Sequence, residues 1–79
     1  MLPTNQELQE LERESYRIVG LICSETASEV ELDSAIDALR RRTASVFPGR
    51  HGVFERTYGR RFARLRTRFR PRGQLFVDA

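Results

Sequence analysis

The chain has 79 residues, 14 basic and 11 acidic side chains, a net charge of +3 and 39% apolar residues; that length holds one domain, and the apolar share is too high for a fully disordered chain. All the basic residues are Arg, Lys is absent, and Cys23 and His51 are the single Cys and His. These counts exclude an intrachain disulfide, a four-ligand zinc site, Schiff-base lysine chemistry and a Walker-type phosphate lysine.

The first predicted element is a helix over about residues 4–23. Thr4 and Glu7 fit a capping box, in which hydroxyl and carboxylate each satisfy an orphan backbone N–H. Leu8, Leu11, Ile18, Val19 and Ile22 then recur at helical spacing with Ser15 in line, while Glu7, Glu10 and Glu14 take another face. After the polar break Ser24-Glu25-Thr26, Ser28 and Glu31 form a second capping box. It opens a helix over 28–46 with Leu32, Ala35, Ile36, Leu39 and Val46 as its buried stripe and Thr43 in line. Acids in its first turns and Arg40, Arg41 and Arg42 toward its end suit the helix macrodipole, and Pro48-Gly49 ends it.

The third segment reads two ways. Phe54, Tyr58, Phe62, Leu65 and Phe69 follow i, i+4, i+8, i+11 and i+15, which predicts a helix over about 53–70. From Arg64, however, Arg alternates with Leu65, Thr67 and Phe69, the period of a half-buried strand. Arg70-Pro71-Arg72-Gly73 suits a type I turn, and Gln74-Leu75-Phe76-Val77 could follow as a partner strand. The longer aromatic register favours an all-α three-helix bundle with a short apolar tail over 73–79. The alternative is a winged-helix-like fold with a hairpin at about 64–77.

Dividing the chain sharpens the charge. Residues 1–39 hold two Arg against nine acids, −7, whereas residues 40–79 hold twelve Arg against Glu55 and Asp78, +10. On a third helix, Arg56, Arg60, Arg64 and Arg68 lie four apart opposite the aromatics, a stripe about 18 Å long. Like charges at that spacing destabilise a helix unless acids screen them or an anion binds. Arg also suits bidentate phosphate contacts. The bland reading is that the stripe pairs with Glu7, Glu10 and Glu14 or is solvated.

Gly49-Arg50-His51-Gly52 is a G-x-x-G turn before a helix, where backbone N–H groups can receive a phosphate. Over these four residues it is similar to the clamp of KH domains, but KH folds need strands before this point and two capped helices stand there instead. An ordinary interhelical turn is the simpler reading. His51 has no Asp, Cys or second His nearby, and Cys23 suits a small core residue. No acid–base pair shares a cleft, so neither catalysis nor a cofactor is expected.

Three functional readings follow. The first is a nucleic-acid-binding protein contacting phosphates through Arg40, Arg41, Arg42, Arg50, Arg56, Arg60, Arg64 and Arg68, with DNA and RNA unresolved. The second is an interaction module whose basic half docks on an acidic protein or on a second copy, as a homodimer. The third lays the aromatic stripe in a membrane interface. No apolar run is long enough to cross a membrane, and the N-terminus lacks the pattern of a signal peptide; a cytoplasmic setting is expected.

Overall fold

The computed structural model describes residues 2–24 and 26–70. Helix α1 spans Asn5–Cys23, α2 spans Glu29–Val46, and α3 spans Arg60–Phe69, preceded by a π-helical turn over Glu55–Gly59. Val53 and Phe54 are already helical, so the third segment is one helical rod from Val53 to Phe69. The three helices form a small all-α bundle in which α1 packs against both α2 and α3.

Both capping boxes form as the sequence predicts. Glu7 N–H donates to Thr4 Oγ1 at 3.1 Å and Thr4 N–H to Glu7 Oε1 at 2.8 Å. In α2, Glu31 N–H donates to Ser28 Oγ and Ser28 N–H to Glu31 Oε1, both at 3.1 Å. Each pair satisfies two donors that the helix geometry leaves orphaned. Gly49 and Gly52 carry φ of 77° and 87°, the left-handed backbone that favours glycine, and so turn the chain between α2 and the third segment.

Leu11, Ile18 and Ile22 of α1, Leu32, Ile36 and Leu39 of α2, and Phe54 and Phe62 of the third segment form the core. Ser15 and Thr43 are also buried on these stripes. Their hydroxyls donate to backbone carbonyls of their own helices, Ser15 to Glu12 O and Thr43 to Leu39 O, both at 2.7 Å. Local bonding of this kind lets a small polar residue occupy a core position without an orphaned group. Leu8 and Phe69, expected on the buried stripes, are 39% and 49% exposed.

The π turn is a feature the sequence reading did not anticipate. Arg60 N–H donates to Glu55 O, five residues back, instead of to the residue four back. A wider turn brings residues spaced by four into closer register than an α-helix does. Phe54, Tyr58 and Phe62 accordingly share one row, with ring centroids 6.2 to 6.4 Å apart and Tyr58 stacked on Phe62 at 16°. That separation suits offset aromatic packing.

The hairpin alternative fails. Residues 64–69, which would form its first strand, belong to α3. The alternating Arg pattern has a helical explanation: it is two interleaved series spaced by four, which occupy opposite flanks of one helix. The Gln74–Val77 strand and the apolar tail over 73–79 lie outside the described residues.

Candidate nucleic-acid interface

The arginines fall into two populations. Arg66 and Arg70 turn inward, toward the junction of α1 and α2. Arg66 Nη2 donates to Glu29 Oε1 at 2.7 Å and its Nη1 to Asp33 Oδ1 at 2.9 Å. Arg70 Nη1 reaches Glu29 Oε2 at 2.5 Å, and its side chain is only 13% exposed. The rest of its guanidinium binds backbone: Nε donates to Ile22 O at 3.0 Å, and Nη2 to Leu21 O, Ser24 O and Ala27 O at 3.3, 2.5 and 2.6 Å.

Those carbonyls belong to the last turn of α1 and to the link that follows. The last turn of α1 carries no basic residue of its own. Arg70, the residue that caps α3, therefore supplies the cation that a helix C-terminus favours, and with one planar fork binds Leu21 O and Ile22 O of α1 and Ser24 O and Ala27 O of the link. Hydrogen bonds from Arg66 and then Arg70 hold the Glu29 carboxyl below its usual pKa, against a smaller opposing effect of burial.

Arg60, Arg64 and Arg68 belong to the other series. At about 100° per residue they lie within roughly 80° of arc on α3, with Arg61 at its edge and Phe62 on the opposite side. All four are exposed. Arg56, also exposed, lies one turn earlier within the π turn. None of these five has a carboxylate partner among the described residues, where the ion pairs are those of Arg17, Arg40, Arg41, Arg66 and Arg70. Glu14 pairs with Arg17 at 3.4 Å, and Glu7 closes its own helix cap; the stripe does not meet the acidic face of α1.

The remaining expected contacts differ from one another. Arg40, Arg41 and Arg42 are neighbours in sequence and fan out around α2. Arg40 pairs with Asp37 at 3.2 Å and Glu55 at 3.9 Å, and its guanidinium lies 4.9 Å from the Phe54 ring centroid. Arg41 pairs with Asp37 at 2.9 Å. Arg42 is exposed, with no ion-pair partner among the described residues. The last turn of α2 holds no base, so the expected match of these arginines to its macrodipole is replaced by pairing one turn back.

Arg50 is exposed on the G-x-x-G turn, between its two left-handed glycines. It lines an open pocket of about 190 Å³ together with Arg40, His51, Phe54 and Glu55. The Glu55 carboxylate in that lining opposes an anion, so the turn contributes Arg50 at its rim and no enclosed phosphate site.

The aromatic row is core. Phe54 and Phe62 are buried, and Tyr58 is half-buried, which raises its hydroxyl pKa, helped by the nearby Glu12 carboxylate. That placement commits Phe54 and Phe62 to the core, whereas Phe69 at the end of the stripe is 49% exposed. Among the described residues no helix is long and apolar enough to cross a membrane, and no group of His, Cys, Asp and Glu side chains could hold a metal ion. Cys23 is exposed, where a core position was expected. Sequence reading also missed Arg61, which the doublet Arg60-Arg61 could have placed at the stripe's edge, and the inward pair Arg66 and Arg70. No protein-family model matches the chain, nor does any curated protein or solved structure.

Proposed function

We propose that this chain is a small, non-enzymatic nucleic-acid-binding protein of the cytoplasm. Arg56, Arg60, Arg64 and Arg68 neutralise phosphates, flanked by Arg61 and by Arg50 at one end; Arg42 adds to the field, and Arg40 and Arg41, already paired with Asp37, contribute least. The observation that carries the reading is the unpaired state of the outward series among the described residues, although the same helix pairs Arg66 and Arg70 with Glu29. Like charges four apart repel by a few tenths of a kcal/mol per pair, and a polyanion reverses that sign.

The composition of the face supports a polyanion over an acidic protein. Between Arg56 and Arg68 the exposed positions are Arg56, Thr57, Arg60, Arg61, Ala63, Arg64, Thr67 and Arg68. A specific protein interface carries an apolar or aromatic centre; between Arg56 and Arg68 the one exposed apolar residue is Ala63, and the exposed Phe69 ring lies at the end of α3.

Fluorescence anisotropy with labelled duplex DNA and structured RNA tests the proposal. With four phosphates neutralised, affinity falls about 150-fold between 50 and 200 mM salt. Absence of binding to either probe at about 50 mM salt overturns it.

A further inference from the structure

Resting on that reading, we infer that the partner is duplex DNA, held by its phosphates along one groove through the outer face of α3, in preference to single-stranded nucleic acid and to duplex RNA. Three observations converge on this substrate.

The first is the lack of a row of exposed rings along the Arg stripe: Phe69, 49% exposed with the Arg68 guanidinium 5.9 Å from its ring centroid, is a single ring at the end of α3. Sequence-tolerant single-strand binders combine a basic groove with aromatic rings on which successive bases lie. Here Phe54 and Phe62 are buried in the core, and Tyr58 is half-buried against Phe62. The exposed face between Arg56 and Arg68 offers guanidinium groups, Ala63, and the Thr57 and Thr67 side chains. The Thr67 hydroxyl already donates to Ala63 O at 3.0 Å.

The second is rigidity. Arg60, Arg64 and Arg68 recur every 6 Å or so along a regular helix. That helix is fastened at its far end by Arg66 and Arg70, whose guanidinium groups bind Glu29, Asp33 and the backbone at the end of α1. A fixed backbone spacing of cations matches a stiff, regular row of phosphates, whereas a flexible strand must lose entropy to conform to it.

The third is width. The helix is roughly 10–12 Å across, and the B-DNA major groove, about 12 Å wide, admits its outer face, from which the long side chains of Arg60, Arg64 and Arg68, on one arc of roughly 80°, and of Arg61 at its edge can reach the phosphates that border the groove. The major groove of A-form RNA is deep and narrow and closes that approach. With phosphates carrying the affinity, two duplexes of unrelated sequence bind alike.

The experiment is anisotropy with the full chain and four labelled probes: two DNA duplexes of unrelated sequence, one of their single strands, and an RNA duplex, each about 20 nucleotides or base pairs long, at about 50 mM salt and above. The two DNA duplexes are expected to agree within about threefold, and the single strand and RNA duplex to bind at least about tenfold more weakly. The triple variant Arg60→Gln, Arg64→Gln, Arg68→Gln is expected to flatten the log–log salt slope by about 2.7, at 0.9 per phosphate lost. Its helicity, checked by circular dichroism, stays at the wild-type level, and the single variant Arg64→Gln flattens the slope by about 0.9. Single-strand or RNA-duplex binding equal to or tighter than that of duplex DNA overturns the choice of substrate and leaves nucleic-acid binding standing. A slope unchanged in the triple variant moves the interface off α3 and overturns the inference as well. Silence from all four probes at low salt overturns both readings.

Discussion

Two sets of arginines on one short helix have opposite fates. Arg60, Arg64 and Arg68 stand in solvent, while Arg66 and Arg70 close on Glu29, Asp33 and the end of α1. Residue type does not separate them, and neither does position along the helix, since the two series interleave. Phase separates them: a shift of two residues turns a side chain by about 200°, from solvent to the neighbouring helix. One set stabilises the bundle. The other adds repulsion to it and leaves charge available to a partner.

The largest effect expected from this contrast belongs to Arg70. Replacing it with Ala removes one ion pair and four backbone contacts together and leaves the last carbonyls of α1 without their cation. Losing one side of a largely buried, hydrogen-bonded charge costs about 3 kcal/mol, a large part of the roughly 4–12 kcal/mol that a chain of this size holds in total. Denaturant unfolding followed by circular dichroism measures it as a lower midpoint. Arg70→Lys recovers only part of the loss, because a single ammonium cannot reproduce five donors fixed in a planar fork. An Arg70→Ala variant as stable as the wild type would remove the distinction between the two sets.

Glu29 is the acid both inward arginines share. Its carboxylate is 39% exposed, so solvent screens the pairing, and Glu29→Gln is expected to cost about 1 kcal/mol at neutral pH. The sign of its pH dependence follows from the lowered folded-state pKa. The contribution is fully present above the unfolded value of 4.5 and is lost as pH falls below it through the folded value. Acid titration of stability should therefore show the wild type falling more steeply below 4.5 than Glu29→Gln, with the two converging at the acid end. Parallel profiles would mean that the Arg66 and Arg70 bonds do not distinguish the ionised form of Glu29 from the neutral one.

Most of the architecture was legible in the sequence, because local chemistry dictates it. Thr4–Glu7 and Ser28–Glu31 mark two helix starts by residue type alone, and Gly49 and Gly52 mark the turn where left-handed backbone is needed. The outward stripe was legible for the same reason: Arg60, Arg64 and Arg68 need only helical spacing to share a face. The inward set was not. Arg70 meets Ile22 O across 48 positions of sequence, and Arg66 meets Glu29 across 37; no periodicity within one helix encodes such a partner. The π turn was hidden differently. The four-residue spacing of Phe54, Tyr58 and Phe62 is met by an α-helix as well as by the wider turn, so nothing in the spacing marks the turn.

The smallest expected effects test whether phase alone separates the two sets. Asp33 pairs with Arg66 at 2.9 Å but is 66% exposed, so Asp33→Asn is expected to cost about 0.5 kcal/mol or less. Arg64→Gln should change stability by a comparable few tenths of a kcal/mol, with the opposite sign. It removes two like-charge neighbours at i±4, Arg60 and Arg68, and breaks no ion pair among the described residues. The gain should shrink as salt rises, because exposed charges 6 Å or so apart lie within the Debye length of about 8 Å at physiological ionic strength but beyond the roughly 3 Å at 1 M salt. Denaturant midpoints of the two variants at low and high salt would measure both signs. A destabilised Arg64→Gln would show that the outward series is held by an intramolecular acid, and the charge proposed to meet DNA would then already be neutralised within the fold.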